Sequence, residues 1–164
     1  MAELTVMESK IGEVTGLAMA AKSATSTVMK LARESDEQLV RLLEQMNEEA
    51  AETEERCTAL AGSFDRKKTV ILEEAKETKD KGAKMLEIYL DADSDVLDGF
   101  EFLTMAEAGE VGHWEVLEQI ANTARATDVI ELTKWAIPIQ RRHFSDAKAT
   151  STKLAADEDP NGDS

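Results

Sequence analysis

Apolar residues recur at alternating intervals of three and four along almost the whole chain, and that regularity admits little but helix. The first series is Leu4, Met7, Ile11, Val14, Ala18, Ala21, Thr25, Val28 and Ala32. The second is Leu39, Leu43, Met46, Ala50, Thr53, Cys57, Leu60 and Phe64, with Ser35 or Asp36 as its expected N-cap. A weaker third series runs Ile71, Ala75, Thr78, Gly82, Met85 and Tyr89. Rows at this spacing share one face of an α-helix. The acidic run at 91–95 (DADSD) interrupts the pattern and offers a new cap. A fourth helix is predicted from about Val96 to Asn122, and a fifth from a cap at Thr127 or Asp128 to about Ala155. Two prolines and eight glycines in 164 residues break few helical positions, and the β-branched alternation of strands is missing. Pro138 lies inside the fifth pattern and predicts a kink, because it has no N–H for the Lys134 carbonyl.

Amphipathic helices of this length bury their stripes against one another, so the expected fold is all-α, a bundle. The first helix is rich in small residues (Gly12, Gly16, Ala18, Ala20, Ala21, Ser23, Ala24), which suits burial on more than one side. Segment 65–90 is the odd one out. The expectation is therefore four long helices, with an additional helix in the connection that lets helices two and four run parallel. Residues 1–156 form one domain in this reading. The tail 157–164, DEDPNGDS, has no apolar residue and is expected to be disordered.

Charge narrows the partners. Nineteen Lys and Arg stand against thirty-four Asp and Glu, a formal net charge of −15. Such a field repels phosphate backbones and anionic headgroups, which argues against nucleic-acid and membrane partners. The only cysteine, Cys57, cannot close an internal disulfide. The start of the chain lacks the basic-then-apolar pattern of a signal peptide, and no run approaches the roughly 18 apolar residues of a membrane helix. The expected location is the cytoplasm.

Chemistry enters through polar residues on apolar stripes. The fourth series reads Val96, Phe100, Leu103, Glu107, Glu110, Trp114, Leu117, Ala121, and the fifth reads Val129, Leu132, Ala136, Ile139, His143, Asp146, Thr150. At spacing three, the members of each pair, Glu107 with Glu110 and His143 with Asp146, leave one helical face together. Two buried carboxylates repel each other and lose hydration, and a divalent cation removes both problems. Glu107, Glu110, His143 and Asp146 are thus candidate metal ligands, with Gln140 as a supporting partner and His113 as a reserve ligand. Iron or manganese suits a set in which oxygen donors outnumber nitrogen. The competing reading places the glutamates at a wet bundle end and gives His143 a hydrogen bond to a core carboxylate. Trp114, Trp135 and Cys57 read as packing residues. Arg141-Arg142 and Arg66–Lys68 read as complements to the chain's own carboxylates. No phosphate-binding loop, hydrolase triad or cysteine-pair metal motif occurs.

The stretch EAGEVGHWEVL (Glu107–Leu117) resembles a segment of the YciE/YciF group of ferritin-like proteins, with Trp114 where that family has an aromatic residue. EEAAETEERCTALAGSF (Glu48–Phe64) is similar to its second helix, and Leu132–Leu154, with Asp146, to its last. The resemblance implies a ferritin-like up-down bundle with a carboxylate-rich two-metal site, tied to stress responses in bacteria. It matches Glu52 and Thr53 to the family's Glu-Thr pair and suggests Glu49 and Glu52 for a second metal position. Glu49 stands where the family tends to have histidine, and Gln140, Arg141 and Arg142 occupy the region of an expected acidic residue. Three functions follow: a ferritin-like metal binder; an oxygen- or peroxide-using di-iron enzyme such as a ferroxidase; and a metal-free interaction module with an acidic surface. The chain is expected to form a homodimer or higher homo-oligomer, and the last reading would have it dock a basic protein.

Overall fold

The computed structural model describes residues 3–163, and within them the chain is all-helical, with five helices and no strand. They are α1 (Val6–Ala32), α2 (Glu37–Ala61), α3 (Lys68–Tyr89), α4 (Val96–Ala124) and α5 (Thr127–Ala155). No helix among these residues is long and apolar enough to cross a membrane.

Local chemistry sets most of the boundaries. Thr5 and Glu8 form a capping box that satisfies two free amides at the start of α1. Asp36 caps α2 by accepting from the Gln38 N–H. The acidic punctuation supplies a second capping box, Asp95 with Asp98, at the start of α4. The start of α5 departs from expectation. Thr127 and Asp128 lie inside the helix, and the cap position is Ala126, which provides no side-chain bond. The reversal before it depends on Arg125, left-handed at φ 54°, whose N–H returns to the end of α4. Pro138 sits inside α5, which continues through it without a break. Residues 157–163 follow as exposed turns.

Two apolar clusters define the packing. One joins Ile11 and Val14 of α1, Cys57 and Ala61 of α2, Ile71 of α3, Trp114 to Ala121 of α4, and Val129 to Ile137 of α5. The other joins Val28, Leu43, Phe100, Leu103 and Ala147, with Leu86 and Leu90 against it. Helices α1, α3 and α5 therefore run one way and α2 and α4 the other, so α2 and α4 are parallel. Helix α1 packs on α2, α3 and α4, and α5 packs on α4 and α2, which closes α1, α2, α5 and α4 around the clusters and leaves α3 outside, against α1. The small residues of α1 serve that last contact. A Cβ added at Gly12 would stand 2.7 Å from Glu74 Cβ, and one at Gly16 would stand 2.6 Å from Thr78 Cβ. Across the same seam, a Cβ at Gly82 would stand 2.7 Å from Ala20 Cβ.

Candidate functional site

Between the two apolar clusters lies a polar layer at the waist of the bundle. Helix α4 passes from Leu103 to Trp114 through Glu107 and Glu110, 1% and 4% exposed. Helix α5 passes from Ile137 to Ala147 through Gln140 and His143, 1% and 2% exposed. Helix α2 adds half-buried Glu49 and buried Thr53, whose hydroxyl donates to the Glu49 carbonyl. Because α4 and α5 pack along their length, these groups meet at one level.

His143 stands between two carboxylates. Its Nδ1 lies 3.6 Å from Glu107 Oε2 and its Nε2 lies 3.4 Å from Glu49 Oε2. That buried Nε2 makes no hydrogen bond with any described residue. Glu49 also receives the Arg142 guanidinium, which reaches in from the surface. One end of the Gln140 amide lies 3.1 Å from Glu107 Oε2 and 2.5 Å from Glu110 Oε2. With nitrogen at that end, the amide donates to both carboxylates. With oxygen there, three oxygens meet, an arrangement held only by a proton or a cation among them. Burial, and next the charge of Glu107, push the Glu110 carboxyl well above the usual carboxylate range. Cys57 closes the layer beside Glu110 and Thr15. Burial is the main cause that raises its thiol to about 12, so it is a packing residue and no nucleophile.

Of the residues singled out from sequence, Glu107, Glu110, His143, Gln140 and Glu49 come together. Three stand apart. Asp146 is half-buried, and its side chain makes no hydrogen bond or ion pair among the described residues. Glu52 is exposed and bonded by Arg56 one turn on, at 3.0 and 2.8 Å. His113 turns toward α1, where its Nδ1 lies 3.2 Å from Glu13 Oε2, a carboxylate that also takes Lys10 at 2.6 Å. Arg141 pairs with Glu115 and Lys67 with Glu8, as complements to the chain's own acids. Among the described residues, no three His, Cys, Asp or Glu side chains converge as a full metal ligand set.

Sequence reading missed a cavity of about 230 Å³ between α1, α3 and α4. Its wall is apolar, with Leu17, Ala21, Met85 and Phe102 on it, and it includes Glu107 and Glu110, with His113 beside them. The signal was present in the small residues Ala20, Ala21, Ala24, Gly82 and Gly109, all of which line it. Small side chains alone do not distinguish a close helix contact from a hollow. Comparison with family models, with curated proteins and with solved structures finds no match to this chain.

Proposed function

We propose that this chain is a metal-binding helical bundle of the ferritin-like kind, with α1, α2, α4 and α5 as the four helices and α3 as the connection. The observation that carries the reading is the convergence of two buried carboxylates, Glu107 and Glu110, on one Gln140 amide, with His143 Nδ1 3.6 Å from Glu107 Oε2. Two carboxylates and one imidazole, with Gln140 as a supporting partner, suit ferrous or manganous ion better than zinc. His143 would hold the ion through Nδ1, and its far nitrogen faces Glu49, the outer carboxylate that commonly orients a ligating histidine. Glu52 is engaged by Arg56 and Glu49 by Arg142, so the donors serve one cation rather than two. The resemblance to the YciE/YciF group implies two metals, so it supports metal binding by the bundle but not the number of one. Bound iron would supply redox chemistry with oxygen or peroxide; the chain's own part is to neutralise and orient the carboxylates.

The test is metal content by mass spectrometry after loading with ferrous or manganous salt and desalting. The expected result is about one metal atom per chain in the parent and in Glu52→Ala and Asp146→Ala. Glu110→Ala and His143→Ala should lose it. A parent that holds no more metal than those two variants would overturn the reading.

A second reading has its own observation. With its nitrogen inward, Gln140 satisfies both glutamates, and Arg142 neutralises Glu49, leaving a closed polar layer without metal. The chain is then a helical interaction module with an acidic surface. Replacing both Glu107 and Glu110 by Gln would then raise the melting temperature and leave metal content at background.

A further inference from the structure

We propose that the cavity between α1, α3 and α4 is a binding site for a small amphiphilic amine, an alkyl chain with one cationic head. The inference uses the carboxylates of the waist but does not rest on their holding a metal. Three observations support it. The cavity is walled mainly by apolar side chains, so it favours a ligand that is mostly hydrocarbon. Its acidic residues are Glu107 and Glu110, no lysine or arginine lines it, and its one histidine, His113, is turned to Glu13. A ligand of opposite charge is therefore selected by the one wall that can select at all. A carboxylate or phosphate head would meet the like charge of Glu107 in a desolvated site, and a neutral head would bring that pair no counter-charge.

The opening has a structural cause. Helix α3 is drawn close to α1 by Gly12, Gly16 and Gly82, and only Ile71 and Ala75 of α3 are buried. Its second half touches α4 little, so Met85 of α3 and Met105 of α4 stand 43% and 38% exposed at the cavity. Flexible methionines adapt their shape to an alkyl chain. The net charge of −15 adds attraction for any cation that approaches.

The experiment is isothermal titration of chelator-treated protein with octylamine, and with octanol and octanoate as chains of equal length. Because metal is stripped beforehand, failure of the metal reading has no bearing on the result. Octylamine should bind at one site per chain, at least about tenfold more tightly than octanol, with no heat from octanoate. The charge belongs to the Glu107–Glu110 pair rather than to one member of it, so the informative variant is the double replacement Glu107→Gln with Glu110→Gln, which should lose the preference for amine over alcohol. Ala106→Leu, which fills the cavity from α4, should weaken octylamine about tenfold or more while the melting curve shows a folded protein. Equal binding of octylamine and octanol by the parent would overturn the proposal. So would undiminished amine preference in the double variant, or unchanged affinity in Ala106→Leu.

Discussion

Glu110 has the strongest reason in the molecule to hold a proton. It is buried, faces Glu107, and its carboxyl is held well above the ordinary value of 4.5. Below the unfolded-state value both states hold the proton, and the contribution to stability is complete. As pH rises past it, the unfolded chain gains by ionising while the folded one does not, so stability falls until the folded carboxyl itself ionises. In metal-free protein, the parent should therefore lose melting temperature from about pH 4.5 upward relative to Glu110→Gln, whose amide does not titrate. Parallel melting temperatures for the two across that range would show that Glu110 is an ordinary wet carboxylate. The legibility of this residue was high, because a charged group on a stripe whose other members are apolar is visible without a structure. Asp146 looked equivalent and is not. It shares a spacing of three with His143, but spacing fixes only a shared face, and the neighbouring helix decides how much of that face is covered.

At the scale of the element, α4 and α5 show how far periodicity reaches. Every member of the α4 stripe from Phe100 to Ala121 is buried as spaced. On α5 the reading and the structure agree at Val129, Ala136 and His143 but part between them: Thr133, Gln140 and Ala147 are buried where Leu132, Ile139 and Asp146 were expected. Both sets satisfy alternating spacings of three and four, and α5 is turned by its packing on α4 and α2, which no local pattern encodes. The glycines show the same limit. Gly16 and Gly112 look alike in sequence, each inside a long helix. At Gly16 a Cβ would collide with the α3 backbone at Ala75 and with the Thr78 side chain, while at Gly112 nothing lies within 4 Å. Gly16→Ala should cost about 1–3 kcal/mol from overpacking, less the gain in helix propensity. Gly112→Ala should stabilise by about 0.5–1 kcal/mol through that gain alone. Denaturant unfolding of the two variants checks both signs.

For the whole molecule, the weak attachment of α3 and the excess of negative charge decide behaviour. With Ile71 and Ala75 as its only buried residues, and Ile88 and Tyr89 exposed, α3 has least to lose by opening. Amides of 79–89 should exchange with deuterium ahead of those of 107–121, in the doubly packed centre of α4. Equal protection would make the five helices one cooperative unit. The charge acts over longer distances. Three ion pairs, Arg41–Glu37, Arg56–Glu52 and Arg141–Glu115, are exposed on both sides and worth about 0–1 kcal/mol each, and the chain carries fifteen negative charges in excess. Raising sodium chloride from about 10 to about 150 mM shortens the screening length from about 30 to about 8 Å, so the melting temperature should rise with salt as self-repulsion is screened. Manganous chloride at the same ionic strength separates field from site. Screening depends on ionic strength, whereas occupation of the waist depends on Glu107, Glu110 and His143. A further rise in the parent, absent in His143→Ala, would place the cation among those side chains. An identical rise in both proteins would leave the acidic surface as the whole of the effect.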